Sequence, residues 1–371
     1  MNKPIWASWP LALALICALY PVFPVFDEYF FRAAGRSLGE QMPTMFIFAI
    51  LALALNVVVG NVGLLHLGIA AFFGIGAYVT GILTVPAYPF EVGFPIALVA
   101  GTLFAAAIGG LIGIPTLRLR GDYLALVTLG FGEVVRYTLR NLDAITAGTR
   151  GLNPVPPPKI PGIAVDWLMD YRPFYYLAFL FLVGTYLILY RLEKSKLGRA
   201  WIAIREDELA ATCMGLNVTR LKLAAFVFAA GLAGMAGCLY ASRMTSTVGP
   251  DAYDFNRSIF LLCCLILGGL GSRNGVLFGV FMLYGFDNIL SPILDDLIQV
   301  HNGTPRPYPV TLFGSKLVTL PANMFTFSGW RLIVFGLVLI LVMRYRPEGL
   351  FPSDRVKEEV HPGGTGNGGA A

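Results

Sequence analysis

Residues 43–60 read PTMFIFAILALALNVVVG, an apolar run without a single charged side chain. Its length approaches the ~20 mostly apolar residues that an α-helix needs to cross a bilayer. The apolar residues are continuous rather than alternating, which favours a helix over a barrel strand. The run therefore predicts a membrane-spanning helix.

The whole chain shares this character. Its 371 residues are 56% hydrophobic and 13% charged, and the mean hydropathy is +0.70. A soluble domain of this size needs a more polar surface, so we predict an all-α, polytopic transmembrane bundle of about ten spans, with a range of eight to ten. The predicted spans are 10–26, 43–60, 64–83, 94–114, 122–140, 174–190, 222–241, 256–271, 276–292 and 330–344. The eighth and ninth are short and close together, so they form either two spans or one re-entrant pair.

The domain organisation is simple. Residues 1–352 are predicted to form one transmembrane domain, followed by a disordered cytoplasmic tail at 353–371 that is rich in glycine. The first apolar run is expected to be a retained span rather than a signal peptide. Only Lys3 precedes it, and Pro21 and Pro24 interrupt it.

Basic residues predict the orientation of the spans. Lys and Arg concentrate in cytoplasmic loops, and ten spans with a cytoplasmic N-terminus place 115–121, 191–221 and the segments near Asn61 and Arg273 inside. This arrangement predicts a multi-pass protein of a bacterial plasma (inner) membrane with both termini cytoplasmic. Because basic residues concentrate in the cytoplasmic loops, the net charge of +5 does not require a nucleic-acid partner. The expected surroundings of the chain are the lipid bilayer.

The sequence lacks the residue patterns that several classes of chemistry require. The five cysteines have neither metal-ligand nor redox spacing, and the chain has no G-x-x-x-x-G-K-[ST] phosphate loop. No nucleophile, base and acid occur at usable spacing. We therefore expect no enzyme activity, no metal and no cofactor on this chain, so that any ATP-Mg is bound by a partner subunit.

The segment 191–221 is unusually charged for so apolar a protein. Asp207 is predicted to cap a short helix, ELAATCM, with Glu208 in its first turn. Gly215 then provides the left-handed position that ends the helix. The segment is too apolar for a solvated connector and too charged for lipid. It is either a docking surface for a cytoplasmic partner or a positively charged anchor with surface helices.

A motif in this segment resembles a known one. Residues 209–215, LAATCMG, resemble the E-A-A-x-x-x-G loop of ABC-importer permeases, in which a short cytoplasmic helix fits a cleft on the ATPase subunit. Leu209 stands where the motif has Glu, and Glu208 lies one position earlier. The resemblance implies a coupling loop, whose candidate residues are Gly198, Arg199, Arg205, Glu206, Asp207, Glu208, Ala210, Ala211 and Gly215.

Longer blocks resemble the LivM-type permeases of branched-chain amino acid importers. They are GLLHLGIAAFFGIGAYVTGIL (63–83), LRLRGDYLALVTLGFGEVVR (117–136), SKLGRAWIAIREDELAATCMGLNVTRLKLAAFVFAAGLAGMAGCLYA (195–241) and RYRPEGLF (344–351). The resemblance implies the ABC-importer permease fold and a permease subunit for branched-chain, hydrophobic amino acids that works by alternating access. The implied partners are a LivH-like sister permease, two cytoplasmic ABC ATPase subunits and a periplasmic or extracellular solute-binding protein.

Other functions stay open on the sequence. Relatives in such a family import urea, short amides or other small solutes, and an ion-coupled secondary transporter is a further alternative. The outer loops 141–173 and 293–329 are candidate docking sites for the binding protein, because clustered prolines stiffen the first of them.

Polar residues inside the spans are candidates for a translocation pathway. Glu133 and Arg136 share one helix face near the expected midplane, where they either neutralise each other within the bundle or face a polar cavity. In the second case Arg136 is the better candidate to attract a carboxylate. Asn56, Asn61 and His66 lie in a glycine-containing stretch that predicts either close packing or a broken helix.

Overall fold

The computed structural model describes residues 17, 19–22, 37–90, 92–116, 122–158, 167, 170–291, 308–312, 315–320, 333, 336–337, 340–342, 344–345 and 349–351. Helices dominate this part of the chain. They are α1 (Leu38–Asn56), α2 (Ile69–Thr84), α3 (Phe94–Thr116), α4 (Asp122–Asn141), α5 (Asp143–Thr146), α6 (Arg172–Lys194), α7 (Lys196–Glu206), α8 (Glu208–Cys213), α9 (Val218–Arg243), α10 (Phe255–Gly268) and α11 (Arg273–Gly285). Short 3₁₀ turns occur at Tyr20–Val22, Gly148–Arg150 and Pro250–Tyr253.

The prediction of a helical membrane bundle is confirmed. Among the described residues, four helical segments are long and apolar enough to cross a membrane: Leu38–Asn61, Phe94–Thr116, Arg172–Lys194 and Val218–Arg243. The apolar helix α2 is shorter. The predicted spans 10–26 and 330–344 lie mostly outside the described residues, as do the tail 353–371 and most of 115–121.

The stretch between α1 and α2 corrects one predicted boundary. The predicted third span began at residue 64, but α1 continues as a π-helical turn, Val57–Asn61, and residues 62–68 are not helical. Gly63 has φ +78°, a conformation that glycine adopts without strain. Gly68 approaches the backbone of Thr128 so closely that a Cβ would lie 2.2 Å from the Thr128 oxygen. The helix is therefore broken where the sequence offered a break as one alternative.

The predicted eighth and ninth spans form a tight helical hairpin. α10 has 14 residues and is about 21 Å long at 1.5 Å per residue, which is less than the ~30 Å of hydrocarbon that a span must cross. α11 has 13 residues and continues as a π-helical turn, Phe286–Leu290. At the closest approach, a Cβ on Gly268 would lie 2.0 Å from the oxygen of Gly275.

The long helix α9 is at the centre of the packing. Its glycines let neighbouring backbones come close: a Cβ on Gly76 of α2 would lie 2.0 Å from the oxygen of Gly234. A Cβ on Gly237 would lie 1.9 Å from the oxygen of Phe73. Small residues at these crossings confirm that the glycines serve close helix packing.

Three segments that the charge pattern predicted to be cytoplasmic meet at one end of the bundle, which we call the loop end. The guanidinium of Arg205 donates to the carbonyl of Gly60. The backbone N–H of Gly271 donates to Oδ1 of Asn56 over 3.0 Å. The backbone N–H of Leu350 donates to the carbonyl of Leu267 over 3.0 Å, so residues 349–351 join the same end.

The opposite end, which we call the far end, is tied together by other contacts. The backbone N–H of Thr247 donates to the carbonyl of Leu152 over 3.1 Å. Nη2 of Arg243 donates to the carbonyl of Glu40 over 3.1 Å. The beginning of α1, the end of α9 and the loop after α5 therefore meet there.

A β-hairpin lies within the predicted outer loop 293–329. Strands β1 (Tyr308–Leu312) and β2 (Ser315–Leu320) pair antiparallel, with a register shift between Val310 and Thr311. These strands were not predicted from the sequence, and they add to a fold that is otherwise helical in the described residues.

Candidate functional site

Two short helices at the loop end form the first candidate site. α7 begins after Ser195, whose hydroxyl accepts from the backbone N–H of Gly198 over 3.3 Å. Asp207 ends α7 and caps α8, accepting from the N–H groups of Leu209 at 2.8 Å and Ala210 at 3.0 Å. Gly215 has φ +83° and ends α8 in the left-handed conformation. The sequence predicted both the cap and the terminating glycine.

The inner side of this helix pair is anchored to the bundle. Trp201 is 2% exposed, and its Nε1 donates to the carbonyl of Leu221 over 2.8 Å. Ile204 and Ala211 are also buried. Nζ of Lys222 lies 2.7 Å from Oε2 of Glu208, which connects α8 to the beginning of α9.

The outer side of α8 faces away from the chain. We define the α8 surface as Leu209, Ala210, Thr212, Cys213, Met214 and Gly215, all of which are exposed. Leu209 and Met214 are 74% and 83% exposed. Exposed apolar side chains rimmed by polar residues are typical of a surface that binds another protein.

The nine predicted coupling residues divide between these two sides. Arg199, Glu206, Asp207, Glu208, Ala210 and Gly215 are exposed, whereas Gly198 and Ala211 are buried and Arg205 is half-buried. A Cβ on Gly198 would lie 2.4 Å from the carbonyl of Leu192, so this glycine permits the tight turn between α6 and α7. The exposure of Leu209 and Met214 was not predicted from the sequence, because only the direction of α8 reveals it.

Glu133 and Arg136 form the second candidate site, on α4. They make the predicted ion pair, with Nη2 of Arg136 2.8 Å from Oε2 of Glu133. Nη1 of Arg136 also contacts Oδ1 of Asp251 at 2.9 Å, and Arg140 lies 3.8 Å from the same oxygen. Asp251 belongs to the far end, so the pair lies nearer to that end than counting along the helix predicted. Asp251 comes from a distant part of the chain, so its contact with Arg136 was not predictable from the sequence.

A narrow cleft adjoins Glu133, between α4, the beginning of α2 and the beginning of α10. A broken helix can offer free backbone amides to a carboxylate. Side chains already occupy two of them: the N–H of Leu67 donates to Oγ1 of Thr128 at 3.1 Å, and that of Ala70 to Oγ of Ser258 at 3.3 Å. These two amides are therefore part of the packing.

Asn56, Asn61 and His66 are buried near the break between α1 and α2. Oδ1 of Asn56 accepts the backbone N–H of Gly271, as described above. His66 lies between aromatic rings, 4.7 Å from Phe226 and 5.9 Å from Phe72 by ring centroids. Its Nδ1 has no hydrogen-bond partner among the described residues. The apolar contacts indicate a packing role for His66.

Within the described residues, no three side chains of His, Cys, Asp or Glu are grouped so that they could hold an ion.

The chain has clear relatives. The family model of the branched-chain amino acid transport system / permease component matches residues 40–343. The high-affinity branched-chain amino acid transport system permease protein LivM of Salmonella typhimurium is 36% identical over 95% of this chain and 76% of its own length. LivM of Escherichia coli is 37% identical over 85% and 70%, respectively.

A more distant relative is the L-arabinose ABC transporter permease protein AraH of Azospirillum brasilense, 26% identical over 53% of this chain and 56% of its own length. No solved structure gives a significant match. The match over most of the chain and the helical bundle agree: the chain belongs to the family of permease components of branched-chain amino acid transport systems.

Proposed function

We propose that this chain is the membrane-spanning permease subunit of an ATP-driven importer for branched-chain amino acids. The observation that supports this most strongly is the exposed α8 surface on a firmly anchored helix pair, in a chain of this family. A surface of this kind is suited to a second protein that supplies the energy, because the chain itself has no phosphate-binding loop.

The same proposal assigns the partners. Two cytoplasmic ABC ATPase subunits bind the loop end, where one of them contacts the α8 surface. A LivH-like sister permease completes the membrane part, and a periplasmic or extracellular solute-binding protein docks at the far end. The apolar, exposed side chains of α3, α4 and α6 suit lipid or the sister subunit; examples are Leu103, Leu111, Leu126 and Leu180, each between 64% and 69% exposed.

The contacts of α7 suggest how movement of an ATPase reaches the spans. Trp201 connects α7 to α9, and Arg205 connects it to the π-helical turn after α1. At the end of α6, Oε2 of Glu193 lies 2.8 Å from Nε of Arg273 at the start of α11. Displacement of α7 and α8 would therefore shift α1, α9 and α11 together, which is the rigid-body rocking that alternating access requires.

An ion-coupled secondary transporter is the weaker alternative. It would need an intramembrane carboxylate that binds and releases the coupling ion. Glu133, an intramembrane carboxylate on α4, is already paired with Arg136, so the geometry favours the ATP-driven importer.

Reconstitution tests the proposed function. We expect proteoliposomes that contain this chain, its sister permease, both ATPases and the binding protein to accumulate radiolabelled leucine only when ATP is inside the compartment that holds the ATPases. Omitting any one component should abolish uptake. Vectorial uptake by this chain alone would contradict the proposal, and uptake of urea but not leucine would favour a small-amide permease.

Replacing Arg136 by alanine should impair uptake without loss of expression. The guanidinium is held between two carboxylates, and its removal leaves Glu133 and Asp251 facing each other without the cation. Leucine uptake kinetics in the reconstituted complex measure the effect. Arg140→Ala is the control, because Arg140 is 44% exposed and its contact with Asp251 is longer, at 3.8 Å. Unchanged kinetics in Arg136→Ala would show that the pair has only a structural role.

A further inference from the structure

Arg257, the third residue of α10, carries a charge in an unfavourable position. The first turn of a helix is its positive end, where a cation is disfavoured. The nearest carboxylate in sequence, Asp254, is otherwise engaged: its Oδ1 accepts the backbone N–H of Arg257 at 3.0 Å and its Oδ2 accepts from Nδ2 of Asn256 at 2.8 Å. The local sequence therefore does not explain why an arginine stands here.

The side chain of Arg257 points into the bundle. Its Cζ lies 5.0 Å from the ring centroid of Phe48, a residue that is 2% exposed and about 15 Å along α1 from Leu38. An arginine that only extended to the membrane surface would place its charged group in water. Arg257 is half-buried, and its guanidinium lies against a buried ring near the middle of α1.

The guanidinium of Arg257 makes few hydrogen bonds to the described residues. Its Nε donates to the carbonyl of Ala252 over a long 3.4 Å. Across the part of the chain that the structure describes, no carboxylate comes within ion-pair distance of Arg257. An unpaired cation inside a membrane bundle is costly, and such residues mark substrate pathways.

Other arginines near the core differ from Arg257. Arg136 lies between Glu133 and Asp251, and Arg273 is paired with Glu193. Arg243 lies in the last turn of α9, where a cation is favoured. Arg257 is therefore better placed than Arg136 to bind an incoming carboxylate.

The aromatic rings near Arg257 are suited to contact the apolar side chain of an amino acid. The ring of Phe48 packs against Tyr284 at 5.1 Å and Tyr240 at 6.1 Å between centroids. A cation and apolar rings thus occur together, as recognition of the carboxylate and the hydrophobic side chain of an amino acid requires.

We propose that Arg257 binds the carboxylate of the transported amino acid inside the bundle, with the rings of Phe48, Tyr240 and Tyr284 against its apolar side chain. The inference rests on the proposed function and adds the substrate site to it. The three rings are at most 8% exposed, so the structure shows this site closed. Alternating access requires such a closed state, and movement of α10 and α11 relative to α1 opens the site.

Charge substitutions in the complete reconstituted complex test the proposal. In Arg257→Gln, uptake of radiolabelled leucine from saturating binding protein should fall about tenfold or more, because a charge-assisted hydrogen bond is lost. Arg257→Lys keeps the charge and should retain an intermediate rate. Arg172→Gln is the matched control and should transport normally, since Arg172 is 46% exposed and pairs with Asp170 outside the core. Wild-type uptake by Arg257→Gln would overturn the proposal.

A second measurement uses the unchanged complex, so that it does not depend on the folding of a variant. A diazirine analogue of leucine is photolysed during turnover, and its adducts are mapped by mass spectrometry. Adducts on Phe48, Tyr240 or Tyr284 support the site, and adducts confined to other helices overturn it. Absence of leucine uptake by the wild-type complex would instead contradict the proposed function itself, before any variant is compared.

Discussion

Replacing Gly215 by valine is expected to reduce leucine uptake by at least about tenfold while the protein still inserts and the complex still hydrolyses ATP. Gly215 ends α8 with φ +83°, a conformation that costs a β-branched residue about 1–2 kcal/mol. The N–H of the next residue, Leu216, bonds the carbonyl of Ala211 at 3.2 Å and completes the cap. The end of α8 should therefore change shape, and the α8 surface with it. Parallel assays of uptake and ATP hydrolysis in proteoliposomes measure the uncoupling.

Two controls separate this local effect from a general one. Apart from the adjoining backbone, no atom of the described residues lies within 4 Å of a Cβ placed on Gly215 or on Gly184. Gly184 lies in α6 with ordinary helical backbone, so Gly184→Val should transport normally. Gly215→Asn should retain most activity, because asparagine tolerates the left-handed conformation. Normal uptake by Gly215→Val would count against the docking role of α8.

Replacing Gly237 by alanine is expected to prevent the bundle from forming. The added Cβ would lie 1.9 Å from the backbone oxygen of Phe73 and 2.9 Å from the nitrogen of Ala77. Neither backbone atom can move away without separating α2 from α9. Overpacking of this kind costs about 1–3 kcal/mol or more, and the yield of monodisperse protein in detergent should fall severely.

The same substitution at Gly231 is the control, on the same helix. There the nearest contact of the Cβ would be Cβ of Ala106 at 3.4 Å, followed by the oxygen and Cγ2 of Thr102 at 3.7 and 3.9 Å, which are ordinary van der Waals distances. Gly231→Ala should therefore give near-normal yield and thermal stability. Equal yields for the two variants would show that the close approach of α2 and α9 is not as described.

The sequence predicted those features that depend on neighbouring residues. The apolar runs identified the helices because lipid requires every backbone group to bond within its own segment. Asp207 and Gly215 identified the ends of α8, since capping side chains and a left-handed glycine act within one turn.

Features that depend on distant residues were not predictable from the sequence. Asp251 reaches Arg136 across 115 positions, and Arg205 reaches Gly60 across 145. The boundary of α2 was wrong because an apolar run does not show whether its backbone is helical. The unpaired state of Arg257 likewise becomes visible only when the neighbouring helices are in place.

The native cysteines permit the most direct test of the central claim, that α8 is a cytoplasmic surface bound by an ATPase. Cys213 on α8 is exposed, whereas Cys17, Cys238 and Cys264 are buried and Cys263 is half-buried. A membrane-impermeant maleimide should label Cys213 in inside-out vesicles that lack the ATPases and leave it unlabelled in right-side-out vesicles. Added ATPase subunits should protect it. Labelling from the outside, or labelling that the ATPases leave unchanged, would contradict the account.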